Sequence, residues 1–133
     1  MDTTEIQTRI NAISKGMLEK GLRKPSASFR QECNKQPEVY LRWEDPTKPD
    51  TAFRNDRYSF LMAETPAEVL TKAEHFVSSL PSAEDARLKQ FMGALANAIE
   101  LGKDNGIDVD FLNPLQNTMK KLSDNILTDQ RAA

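Results

Sequence analysis

The chain holds one histidine, His75, and it stands directly after Glu74. An imidazole beside a carboxylate invites a search for general-base or metal chemistry. A zinc site needs further nitrogen or sulfur ligands, and here there is no second histidine and only one cysteine, Cys33. A nucleophilic mechanism needs a nucleophile delivered to the base, and no Gly-x-Ser-x-Gly turn occurs. Asp104, Asp108 and Asp110 lie close together, but the last position of a calcium loop would fall on Leu115 or Met119 instead of a glutamate. The glycines at 16, 21, 93, 102 and 106 form no phosphate-cradling loop. The reading is therefore a non-enzymatic chain with no catalytic residue, cofactor or metal. A small-molecule enzyme using His75 is the remotest alternative.

Binding chemistry has more to work with. Val39, Leu41 and Trp43 alternate with Tyr40, Arg42 and Glu44. If the first set faces a core, Tyr40 and Arg42 lie on the opposite face with Arg30 nearby. An aromatic ring between guanidiniums on a sheet is a stacking platform for bases. Arg54 and Arg57 adjoin it, and Lys20, Arg23 and Lys24 make a basic end to the first helix. Glu32, Glu44 and Asp45 share that neighbourhood, and cross-strand Arg–Glu pairing accounts for the same residues. The candidate binding set is thus Arg23, Lys24, Arg30, Tyr40, Arg42, Arg54 and Arg57.

The elements that must position these residues are legible from periodicity. Ile6, Ile10, Ile13 and Met17, flanked by Leu18, predict an amphipathic helix over 3–22, with Glu5–Arg9 and Glu19–Arg23 paired on its outside. Gly21 is its expected stop, and Pro25 the break after it. The period then changes to two. Ala27, Phe29, Gln31 and Cys33 alternate with Ser28, Arg30 and Glu32; Tyr58, Phe60 and Met62 alternate with Arg57, Ser59 and Leu61. With 39–44 these runs make an antiparallel meander, turned first at Asn34–Pro37 and then by a polar loop, Asp45 to Asp56, expected to be mobile.

Thr65-Pro66-Ala67-Glu68 opens the best-marked helix: a cap, a first-turn proline and a glutamate three residues on. Val69, Leu70, Ala73, Phe76, Val77 and Leu80 give its apolar face, and Pro81 ends it. Leu88, Phe91 or Met92, Leu95 and Ile99 predict a third helix over 83–102, ended by Gly102 and Asn105-Gly106. Ile107 to Phe111 reads as an extended connector. Asn113-Pro114 reads as the cap and first turn of a fourth helix carrying Leu115, Met119, Leu122 and Ile126.

The α-β-β-β-α order of residues 3–80 is similar to that of double-stranded-RNA-binding domains. Those domains hold phosphate with lysines at the start of the second helix, where this chain has Glu64 and Glu68. Carboxylates there repel phosphate, so only the element order is shared.

The expected fold is a two-layer α+β domain, order α-β-β-β-α-α-α, over 1–128 with a frayed tail at 129–133. A composition of 38% hydrophobic and 29% charged residues suits an ordered globular chain. The net charge of −2 gives no global pull toward nucleic acid or acidic membranes. No run reaches the length of a membrane helix, no signal-peptide layout opens the chain, and one cysteine suits a reducing compartment, so the expectation is cytoplasmic. The leading functional reading is a small interaction or accessory protein that binds a protein partner or a second copy of itself. Met92, Leu101, Leu112 and Phe53 are apolar residues spare for such a patch. Weak nucleic-acid binding is the alternative.

Overall fold

The computed structural model describes residues 1–49 and 55–132, with only the backbone of 126–132. The elements are α1 (Thr3–Glu19), β1 (Arg23–Arg30), β2 (Glu38–Glu44), β3 (Asp56–Met62), α2 (Pro66–Ser79), α3 (Ala83–Asp104) and α4 (Val109–Ala132). The chain divides into two compact units, 1–84 and 85–133. It is a small α+β fold with the expected element order.

In the first unit the three strands form an antiparallel sheet in the order β1-β2-β3. α1 packs on β1 and α2, and α2 packs on β2 and β3. Ile10, Ile13 and Met17 of α1 meet Val39, Leu41 and Trp43 of β2 and Val69, Leu70, Ala73 and Val77 of α2 in one buried cluster. The apolar stripe of α1 is therefore consumed inside its own unit. Leu18 is not part of it and stands exposed. A 17-residue helix is stabilised mainly by such packing, not by propensity.

Local chemistry sets the ends of these elements. The Thr65 Oγ1 accepts from Glu68 N at 3.2 Å, and Pro66 follows in the first turn, as the sequence signals. Gly21 turns the chain after α1 with φ +79°, a conformation that costs glycine nothing. Lys20 joins the two helices: its Nζ donates to Ser78 O at 3.0 Å and to Leu80 O, capping the end of α2. Burial pushes the Lys20 ammonium pKa down.

Several expectations are corrected here. Pro25 lies inside β1, which begins at Arg23. The register slips between Arg23 and Ser26, so β1 carries one extra residue there, and Lys24 takes φ +50°. Such a bulge at a sheet edge tolerates a proline, because no ladder bond is asked of it. β1 ends at Arg30 because Lys35 N bonds Glu32 O at 3.1 Å and Asn34 adopts φ +62°, which places Gln31 and Cys33 in the turn. Neither i,i+4 pair on α1 forms: Arg9 reaches across to Glu74 and Thr71 of α2, and Arg23 is already in β1.

The second unit holds most of α3 together with α4. Asp108 begins α4, its Oδ1 accepting from Asp110 N at 3.0 Å. Val109 to Phe111 are therefore helical, and Pro114 sits inside the helix instead of opening it. The stronger cap lies five residues upstream of Asn113, and an aspartate so placed wins on charge as well as geometry. Gly102 is pressed by Leu112, whose Cδ2 would lie 2.8 Å from an added Cβ. The side chains of Ile126 and of the expected tail at 129–133 lie outside the described residues. Among the described residues no helix is long and apolar enough to cross a membrane.

Candidate functional site

The core parity of β2 sends Tyr40 and Arg42 to the opposite face of the sheet, as the alternation requires. The direct partners of Tyr40 are Ser28 on β1 and Phe60 on β3, and Arg42 lies opposite Ser26 and Tyr58. Opposed residues in an antiparallel pair share a face. Tyr58, Phe60 and Met62 therefore join Tyr40 on the outside, exposed by 64%, 62% and 49%. Ring centroids are 4.7 Å apart for Tyr40–Phe60 and 6.1 Å for Tyr40–Tyr58, with planes tilted by 40° in both. Leu61 packs against the core instead, opposite Val39.

This inverts what apolar alternation suggests for β3. The larger apolar set faces out, and the set containing Ser59 and Arg57 takes the inner parity. Register decides it, because Leu41 and Val39 can only be continued by Ser59 and Leu61. The signal available in the sequence was the position of Tyr40: once it faces out, its cross-strand neighbours must too.

Beside the rings, Ser28, Arg30, Glu38, Tyr40 and Phe60 line a shallow depression of about 350 Å³. Ser28 has too small a side chain to fill the space between Tyr40 and Arg30, which leaves the hollow open.

The basic residues of the candidate set do not form one patch. Arg30 pairs with Glu32 at 2.6 Å and Glu38 at 3.6 Å, and Arg42 with Asp56 at 2.8 Å. Arg57, on the inner parity, pairs with Asp45 at 2.8 Å. Arg23 Nε lies 3.2 Å from Glu44, and Lys24 Nζ lies 3.8 Å from the same carboxylate. Glu44 is only 5% exposed, so the half-buried Arg23 serves a buried carboxylate. Arg23 also donates to Lys48 O at 2.7 Å and Asp45 O at 3.4 Å, pinning the start of the loop. Arg54, with the middle of the loop expected to be mobile and Phe53, lies outside the described residues.

The ionisation states follow the pairing. The Asp56 carboxylate raises the Arg42 pKa above its ordinary value, and Lys35 together with Arg30 holds Glu32 below the carboxylate range. Burial alone would push Asp45 up. The hydroxyl and amide of Thr47, with Arg57 and Lys48, overcome that and hold it low.

His75 is exposed, and Ser78 and Ser79 donate their hydroxyls to its carbonyl oxygen, each at 2.9 Å, not to its ring. Among the described residues no three His, Cys, Asp or Glu side chains gather as a metal site requires. Of the spare apolar residues, Leu101 is exposed, Met92 half-buried and Leu112 buried. Compared with protein-family models, with curated proteins and with solved structures, the chain matches none.

Proposed function

We propose that the protein is a non-enzymatic interaction module that binds a protein partner through the outer face of its sheet. One observation carries this reading: Tyr58, Phe60 and Met62 are exposed beside the half-buried Tyr40 and form a contiguous apolar surface on paired strands. Aromatic side chains lose little entropy on binding and supply most anchors at protein interfaces. The hollow lined by Ser28, Arg30, Glu38, Tyr40 and Phe60 suits one bulky apolar side chain of a partner. Arg30 and Glu38 offer polar contacts at its rim.

The charges favour a protein over a nucleic acid. Arg30 and Arg42 are neutralised by Glu32, Glu38 and Asp56, so phosphate would meet more carboxylates than guanidiniums. The test compares proteins retained on immobilised wild type with those retained on Phe60→Ser and Tyr58→Ser, at low and high salt. A partner held by wild type at both salts and lost by the variants is expected. Retention that ignores both substitutions overturns the reading. So does salt-sensitive capture of a labelled oligothymidylate that the same substitutions abolish, which would make the rings a base-stacking platform.

A further inference from the structure

Residues 105–108 turn the second unit back on itself. Ile107 N donates to Gly102 O at 2.9 Å and Gly106 N to Lys103 O at 3.2 Å, with Gly106 at φ +72°, a glycine-ended helix stop. Asp108 caps α4 directly afterwards. So short a connection makes α3 and α4 antiparallel neighbours, and Leu112 lies against Gly102. Among the described residues from 85 to 125, only Ile99 and Leu112 are fully buried apolar side chains. Two helices cover each other on one side only.

The helical period shows what this pairing leaves open. Toward α4, α3 presents Leu88, Met92, Leu95 and Ile99, all buried or half-buried. About 100° round from them a second apolar stripe runs through Phe91, Ala94, Ala98 and Leu101. Phe91 is 55% exposed and Leu101 64%. Toward α3, α4 presents Leu112, Gln116 and Met119. About 90° round in the same sense stand Phe111, 73% exposed, then Leu115, Thr118 and Leu122. The same sense of rotation on antiparallel helices puts both stripes on one face of the hairpin. Thr118 spends its hydroxyl on Pro114 O at 2.9 Å, and no charged residue falls within either stripe.

We infer that the α3–α4 hairpin packs face to face with that of a second copy, forming a four-helix bundle with the two turns at opposite ends. The spacing of each stripe is palindromic: 91, 94, 98 and 101 step by 3-4-3, and 111, 115, 118 and 122 by 4-3-4. A two-fold axis across the helices at the level of residue 96 therefore sets each stripe against its own copy. Phe91 meets Leu101 of the partner subunit, Ala94 meets Ala98 of the partner subunit, and Leu115 meets Thr118 of the partner subunit. The central alanines let the α3 axes approach to about 8–10 Å. Charge selects this arrangement. The turn carries Glu100, Asp104, Asp108 and Asp110 against Lys103, four acids to one base and a net −3. The other end carries Arg87, Lys89, Lys120 and Lys121 against Asp85 and Asp124, four bases to two acids and a net +2. The axis brings each acidic turn to the basic end of the other copy, and Arg87 level with Asp104 of the partner subunit; turns set side by side would repel. The area suffices as well. α3 has 22 residues and is about 33 Å long, and two helices are about 20 Å wide, so each copy contributes roughly 600 Å². The total of roughly 1,200 Å² is where specific interfaces begin. This surface lies in the second unit, so it stands apart from the binding proposed for the sheet.

Light scattering over a range of protein concentrations tests it. A dimer is expected for the full chain. Leu101→Asp and Phe111→Asp alter side chains that are exposed in a single copy, and each is expected to give a monomer with unchanged helical circular dichroism. The Arg87–Asp104 pair occurs twice in a dimer, so R87E or D104R alone is expected to weaken it about tenfold. Both changes suit the α3 dipole, which separates a lost dimer from a lost helix. The R87E/D104R double variant restores dimerisation, which holds only where the two α3 helices run antiparallel. Phe60→Ser leaves the dimer intact, and Leu101→Asp leaves partner capture intact, so the two proposals fail separately. A monomer at all concentrations overturns the inference, as does a dimer indifferent to Leu101→Asp and R87E. So does a monomer that sediments with phosphatidylserine vesicles and loses them on Phe111→Asp, which would give the face to a lipid surface.

Discussion

Tyr40 and Phe60 lie directly opposite each other across β2 and β3, their ring centroids 4.7 Å apart on the face turned away from α1 and α2. A double-mutant cycle with Tyr40→Ala and Phe60→Ala in urea should return a coupling of about 0.5–1 kcal/mol, as cross-strand aromatic pairs do. Additive losses would show that the rings merely share a face.

Arg23 and Arg42 look alike in sequence and should behave differently. Arg23 serves the buried Glu44 and two loop carbonyls, so Arg23→Ala should cost about 2–3 kcal/mol in chemical denaturation. Arg42→Ala, which breaks only the exposed pair with Asp56, should leave the melting temperature where it was. It follows that charge reversal at Arg23 and Lys24 tests folding before it tests nucleic-acid binding. Equal effects at 23 and 42 would refute the distinction.

Asp45 makes stability depend on acid. Its folded pKa is held below the unfolded one, so its contribution is present at neutral pH and is lost as pH falls through the folded value, below about 4. Thermal unfolding of wild type and Asp45→Asn should therefore differ most near neutrality and converge in acid. A gap that stays constant down to pH ~3 would assign the loss to packing instead.

Two backbone positions should accept stabilising changes. Lys24 holds φ +50°, where a side chain costs about 1 kcal/mol and its pair with Glu44 is long. Lys24→Gly should raise stability by about 0.5 kcal/mol. Gly93 lies inside α3 with nothing within 4 Å of an added Cβ, so Gly93→Ala should gain about 0.5–1 kcal/mol. Calorimetry on the two variants decides both, and a drop at position 93 would mean that the site is packed.

What could be learned from the sequence tracks the range of the interactions involved. Thr65, Pro66 and Glu68 act within one turn, so the start of α2 is readable from four residues. The stripe of Ile10, Ile13 and Met17 and the alternation of Val39, Leu41 and Trp43 name their own buried faces, because periodicity and hydrophobicity agree there. Where two local signals compete, the chain alone is ambiguous: Asp108 and Asn113 both look like caps, and Asp108 opens the helix.

The outer face and the charge balance are another matter. Whether Tyr58, Phe60 and Met62 point in or out depends on pairing with Val39 and Leu41, some twenty residues away, and a shift of one residue would reverse it. The arginines are basic in any listing of the sequence. Their partners Glu44, Asp45, Glu38 and Asp56 are brought to them only by the sheet and its turns. Composition and period determined the elements, the core stripes and the α+β class. Tertiary pairing alone turned a predicted basic platform into a neutral aromatic surface, because electrostatics and face depend on which residues the register places side by side.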